Sequence, residues 1–153
     1  MLDVDDFRRV VRDAPLVAID LLVGDGNGHY LLGLRRNRPA AGFWFVPGGR
    51  VYKDEALDAA FARIARAELG LELSRSGATA MGVSEHFYPD SFADVTIGTH
   101  YVVLPYRVTV SREAIPVRAG EKQHCALEWM SSMQLRTRTD VHAHTRAYFI
   151  ADE

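Results

Sequence analysis

"GGRVYKDEALDAAFARIARAELGL", residues Gly48 to Leu71, decides how the fold is read. Leu57, Phe61, Ile64 and Glu68 follow i, i+4, i+7, i+11 spacing, which places all four on one face of a helix. Three of them are apolar and belong against a sheet, so Glu68 projects from the buried stripe near its C-terminal end. The helix is expected from about Glu55 to Leu69, capped by Asp54 and stopped by Gly70. A carboxylate in an apolar stripe is costly unless it is paired or bound to a cation. The helix alone leaves both readings open: an ion pair with an arginine of a neighbouring strand, or a metal ligand. Gly48-Gly49 is expected to form a turn closed to other residues, exposing a peptide carbonyl of the kind that suits Mg2+.

Working outward, "DVDDFRRVVRD" (Asp3–Asp13) fits a short amphipathic helix with Phe7, Val10 and Val11 on one side. "PLVAIDLLV" (Pro15–Val23) is an apolar strand interrupted by Asp20. The turn "GDGNG" joins it to "HYLLGLRR" as a hairpin. Residues Asn37 to Gly49 are expected to be one long loop. Ala78–Tyr88 and His100–Val110 are further strands, with a polar segment between them. Ser111–Lys122 is a loop, "CALEWM" a strand, and a helix near Asp140–Ala151 ends the pattern. Strands dominate around one central helix with others outside, an α+β arrangement.

Composition narrows the function. At 153 residues the chain suits one domain, residues 1–153, and a net charge of −2 with scattered arginines argues against nucleic acid as partner. Any anion those arginines meet is small. One cysteine, Cys125, excludes an internal disulfide and fits a reducing compartment; core packing is its expected role. "MLDVDDFRRVV" lacks the apolar run of a signal peptide, and no stretch is long enough to span a membrane, so a cytoplasmic protein without a membrane partner is expected.

The spacing Gly49, five residues, Glu55, seven residues, Arg63, then Glu68, Gly70 and Leu71 resembles the Nudix box, G-x5-E-x7-R-E-U-x-E-E-x-G-U. Ile64 and Ala67 stand where that box has glutamates. Those two departures, with "NRPAAGFWFVPGGRV", "THYVVLPYRV", "KQH" and "VHAHTRAYF", are similar to the GDP-mannose mannosyl hydrolases, a Nudix subfamily lacking the same two acids. The similarity runs from Phe7 nearly to the C-terminus and is weakest at Ser111–Lys122 and around Asp90–Gly98. It implies a Nudix-like α/β/α sandwich with a mixed sheet, a homodimer, and a small-molecule GDP-sugar as substrate.

The resemblance also implies a site. One Mg2+ per subunit, with Mn2+ as the alternative, would be held by the Gly48 carbonyl, Glu68 and the Gln123 side-chain oxygen. Water would strike the anomeric carbon with inversion while GDP leaves, which needs a base on the opposite sugar face. His124 occupies the family's base position, and an imidazole accepts protons near neutrality; the bare sequence reads it as a surface-loop histidine. Arg35 and Arg50 would clamp the phosphates, the resemblance selecting Arg35 over Arg36 and Arg38. Asp20 would face the sugar, and His86 and Tyr101 would donate hydrogen bonds to diphosphate or sugar, or else be satisfied half-buried polar residues. Leu2 and Phe7 would approach the nucleotide, Phe7 stacking on guanine, unless Phe7 merely anchors its helix. Arg63 and Glu55 pair across the box. Trp44, Phe45 and Trp129 are core or pocket wall, and His142 and His144 fall on different faces of the last helix, a poor metal pair.

GDP-mannose, or GDP-glucose, hydrolysed to GDP and free sugar is therefore the expected reaction. Two alternatives remain: a Nudix pyrophosphohydrolase attacking phosphorus of a nucleotide sugar or nucleotide, and a nucleotide-binding module without catalysis.

Overall fold

The computed structural model describes residues 2–116, 118–121 and 124–150. In chain order the elements are α1 (Val4–Asp13), β1 (Leu16–Gly24), β2 (His29–Arg35), β3 (Trp44–Phe45), β4 (Gly48–Arg50), α2 (Leu57–Leu69), β5 (Thr79–Ala80), β6 (Ser84–Tyr88), β7 (Thr99–Thr109), β8 (His124–Ser131), α3 (Ser132–Thr137) and α4 (Ala143–Ile150).

β1 organises the rest. It runs parallel to β7 from Leu16↔Tyr101 to Gly24↔Thr109 and antiparallel to β2 and β4. β8 and β3 add to β2, and β5 and β6 add to β7, giving one mixed sheet. An apolar strand in the middle of such a sheet is buried on both faces. Ile19, Leu21 and Val23 meet Phe61, Ile64 and Leu69 of α2 on one side. Leu22, on the other, joins Leu32, Trp44 and Leu135 with Phe149 of α4. Each of these large side chains contributes about 1.5–3 kcal/mol by leaving water. Helix, sheet and helix are thus three layers with a core in each gap, the α/β/α sandwich expected.

Several local expectations change. α2 begins at Leu57 after Ala56, which makes no side-chain cap, while Asp54 sits in the left-handed region at φ 63° and serves the turn. Gly70 ends the helix in the left-handed conformation, as read. The segment 37–49 is not one loop, because Trp44–Phe45 and Gly48–Arg50 pair with β2 and β1. Gly48-Gly49 is strand rather than turn, and neither residue has a positive φ. What excludes a side chain there is space: a Cβ on Gly48 would meet Asp20 Oδ1 and the Ile19 carbonyl at 2.6 Å, and one on Gly49 would meet Ile64 Cγ1 at 3.0 Å. In α1 only Val11 is buried, while Val10 is exposed. Cys125 is exposed, since the residue before it in β8, His124, takes the inward position. α3, closed by a Ser131/Gln134 capping box, was not expected at all.

Candidate active site

A cavity of about 380 Å³ opens at the end of the sheet where β1, β4, α2 and the start of β8 converge. Its floor is set by β1–β4 pairing, which lays Gly48 against Asp20. Ile64 fills the space under Gly49 and is buried, so the helix position that would carry an acid in the Nudix box belongs to the core here. Ala67 lines the cavity as a methyl group.

Glu68 is 4% exposed, in the last turn of α2. The partial negative charge at a helix C-terminus opposes a carboxylate there. Its Oε1 accepts from the Gly48 N–H at 3.2 Å and lies 3.2 Å from His124 Nε2. Among the described residues, no arginine or lysine pairs with it. The ion pair with a strand arginine is therefore absent among those residues. A buried carboxylate beside a glycine main chain, unneutralised by a fixed cation, fits a hard divalent ion with oxygen ligands. Gln123, the third expected ligand, lies outside the described residues.

His124 is not a surface-loop histidine. It is 6% exposed, opens β8 opposite Arg35, and its ring occupies the space a Cβ on Gly33 would need, 2.3 Å from Nδ1. That Nδ1 is buried without a hydrogen-bond partner among the described residues. Nε2 is thus the nitrogen turned toward Glu68. Arg36, next to the expected Arg35, donates instead to the carbonyls of Glu121 and His124 at 3.1 and 3.2 Å, anchoring this segment.

Arg35 and Arg50 both line the cavity, and each guanidinium already rests on a ring: Arg35 over Phe45 at 4.7 Å, Arg50 over Phe7 at 4.2 Å. Phe7 therefore reaches the cavity of its own chain, whereas Leu2 is half exposed and outside it. Arg63 makes a two-pronged pair with Glu55 at 2.8 and 2.9 Å and donates to the Arg50 carbonyl at 2.7 Å. Arg63 thus joins the end of β4, at Arg50, to α2.

The opposite wall is polar and largely buried. Burial pushes the Asp20 carboxyl up to about 6, against the Tyr148 hydroxyl and the Arg35 charge, which lower it. Burial, then the neighbouring charges of His144, His142 and Arg35, lowers His86 to about 4. Burial raises the Tyr101 hydroxyl. His86 stacks flat on His144, 4.4 Å between centroids, and His142 lies 4.7 Å from His144. The two C-terminal histidines meet because His142 precedes α4 rather than belonging to it. Among the described residues no group of three or more His, Cys, Asp or Glu side chains is arranged to hold a metal.

Sequence reasoning brought Asp20, Arg35, Gly48, Arg50, Glu68, His86, Tyr101, His124 and Phe7 to one cavity. It set aside Arg38, which lines the cavity along with Arg35, and it missed Tyr88 and Phe92 on the cavity wall and Tyr148 behind Asp20. Only the quoted "VHAHTRAYF" pointed toward the last of these.

Solved structures share this architecture. A MutT protein from Methanosarcina mazei superposes with a TM-score of 0.71 at 22% identity, over 90% of this chain and 92% of that one. A MutT NUDIX hydrolase from Burkholderia pseudomallei gives 0.70 at 29% identity, over 90% and 97%. A low-salt glycan biosynthesis protein, Agl8 of Haloferax volcanii, is 36% identical across 81% of this chain and 76% of its own length. Residues 14–152 match the NUDIX domain family, and the chain belongs to it. Hydrolases of this family use a divalent cation such as Mg2+ or Mn2+ and act on small nucleotide substrates. Among the described residues no helix is long and apolar enough to cross a membrane.

Proposed function

We propose that this chain hydrolyses GDP-mannose, or GDP-glucose, to GDP and free sugar, water attacking the anomeric carbon with inversion. The observation that carries the reading is the supply of acids. Among the described residues lining the cavity, Asp20 and Glu68 are the only carboxylates, and Ile64 is buried where a second helix acid would stand. Attack at phosphorus through paired metals needs several carboxylates to gather the ions. Similarity to a protein of glycan biosynthesis agrees with a sugar nucleotide as substrate.

In this reading the Gly48 carbonyl, Glu68 and Gln123 would hold one Mg2+ or Mn2+. When bound, the ion neutralises charge on the departing diphosphate. Arg35 and Arg50 bind phosphate oxygens with guanidinium planes already set by Phe45 and Phe7. Asp20 accepts from sugar hydroxyls, and His86, neutral at pH 7, and Tyr101 supply further hydrogen bonds. His124 takes the proton of the attacking water. Because Nε2 faces Glu68 at 3.2 Å, that role requires the ring to exchange the carboxylate for water. Phe7 stacks on guanine from within its own chain, and Leu2 reaches the nucleotide from the partner of a homodimer. The chain acts as a single domain, residues 1–153, in the cytoplasm.

Incubation with GDP-mannose and Mg2+ in ¹⁸O-water tests this directly. Label is expected in free mannose. GMP with mannose 1-phosphate would establish attack at phosphorus instead, and saturable binding without turnover would establish a binding module.

A further inference from the structure

Asp20 has two oxygens in two different surroundings. Oδ2 accepts from the Tyr148 hydroxyl at 2.7 Å, across 128 positions of sequence. Oδ1 lies over Gly48, 2.6 Å from where a Cβ on that glycine would stand. Oδ1 is therefore the oxygen beside Gly48, which lines the cavity and whose N–H reaches Glu68.

Tyr148 is itself firmly placed. The next residue, Phe149, is buried in the core between sheet and α4. One turn back, Thr145 is 1% exposed and its Oγ1 accepts from the Val46 N–H at 3.3 Å. The Tyr148 hydroxyl also stands 3.4 Å from His86 Nε2. A phenol has one proton, and an ionised carboxylate can only accept. With that proton on Asp20, His86 Nε2 must be the donor to Tyr148. The order runs His86 to Tyr148 to Asp20, with His86 held flat on His144 of the same helix. A carboxylate torsion is broad and roughly two-fold when nothing fixes it, so a charge-assisted bond to one oxygen selects its orientation.

We infer that Tyr148 is a positioning residue of the active site: by holding Oδ2 it presents Oδ1 of Asp20 to a hydroxyl of the substrate's sugar. The inference rests on the proposed contact between Asp20 and the sugar. It makes α4 part of the specificity apparatus, although Tyr148 need not touch substrate. Tyr148 is not among the described residues lining the cavity, so no effect on GDP binding is expected.

Tyr148→Phe removes the hydroxyl and keeps the ring. The variant is expected to melt cooperatively by circular dichroism and to bind GDP, measured by calorimetry, as the wild type does. Its kcat/KM for GDP-mannose is expected to fall about tenfold. Against an Asp20→Ala background the same substitution is expected to cost less than twofold, because its effect passes through Asp20. An unchanged kcat/KM, an undiminished tenfold loss in the Asp20→Ala background, or a parallel fall in GDP affinity would each overturn the inference. Products of the wild type separate this from the parent reading. If they are GMP and mannose 1-phosphate, the parent reading fails and the same cycle on that reaction decides the inference. If there is no turnover at all, both fail together.

Discussion

Glu68 Oε1 and His124 Nε2 stand 3.2 Å apart with both side chains almost fully buried. One residue comes from the end of α2 and the other from the start of β8, fifty-six positions later. Their contact joins the expected metal ligand to the expected base, so the two are separable only by what each variant loses. Glu68→Gln keeps shape and hydrogen bonding but removes the charge that fits a divalent ion. It is expected to abolish saturable Mn2+ binding followed by electron paramagnetic resonance. His124→Gln should retain Mn2+ and GDP binding while kcat falls about 10²–10⁴-fold, the usual range for a lost general base. Near-normal turnover of His124→Gln would exclude the base role.

Gly33 offers an independent probe of the same histidine. The His124 ring lies where an alanine Cβ at position 33 would be, 2.3–2.7 Å from three ring atoms. Gly33→Ala must displace the ring or part β2 from β8, an overpacking cost of about 1–3 kcal/mol. The variant should fold with a lowered Tm and lose turnover about as severely as His124→Gln, while GDP affinity stays within about twofold by calorimetry. Wild-type kcat in a folded Gly33→Ala protein would mean that the ring position is irrelevant to chemistry.

The parts legible in the sequence were those governed by local periodicity. The buried positions of Phe61, Ile64 and Glu68 and the stop at Gly70 follow from helix geometry and held, whereas Leu57, at the first turn, is only half-buried. Positions settled by tertiary contact did not read through. Gly48 and Gly49 announce flexibility to a sequence reader, yet both are in strand, and Asp20, Ile19 and Ile64 forbid their side chains. Asp54 has cap chemistry but adopts a left-handed turn, so the helix starts later. Two- and three-residue strands such as β3 and β4 carry no period and exist only through β2 and β1. The site divides in the same way. Glu68 announces itself as an acid in an apolar stripe, whereas Tyr148 becomes relevant only when α4 packs behind β1.

The Glu55–Arg63 pair should govern stability and phosphate binding together. Arg63 is forked onto Glu55, stacked over Tyr52 at 3.9 Å and bonded to the Arg50 carbonyl, so it fixes the end of β4, where Arg50 stands, and the loop that follows. The Arg63 hydrogen bond holds the Glu55 carboxyl below the ordinary carboxylate range. Glu55→Gln weakens a charge-assisted bond of about 1.5–3 kcal/mol. The expected signs are a Tm lower by several degrees, at about 2–4 °C per kcal/mol for a domain this size, and weaker inorganic diphosphate binding. An unaltered Tm with unaltered diphosphate affinity would show that Arg50 keeps its place without the pair.

His142 should make the stability of the last helix depend on pH. Its Nδ1 accepts from the His144 N–H at 3.1 Å, at the entrance to α4, and its ring stacks on Phe45 at 4.6 Å. Burial, then the charges of His144, Arg35 and Arg146, lowers it from 6.5 to about 4. A depressed histidine contributes stability that is present above 6.5 and lost as pH falls toward 4, because the unfolded chain takes up the proton first. Protonation also removes the lone pair that caps His144. Asparagine at this position can cap a helix and does not titrate. At pH 7.5 His142→Asn is expected to be less stable by about 0.5–1.5 kcal/mol through the lost stacking. Between pH 6.5 and 4 the gap to wild type should narrow, since only the wild type loses stability through residue 142. His86 is lowered in the same direction, in part by the charge of His142, so the difference curve reports residue 142 together with its coupling to His86, and both narrow the gap. Urea titrations at half-unit pH steps measure that curve, and a gap that stays constant from pH 6.5 to 4 would sink the assignment of a neutral, capping His142.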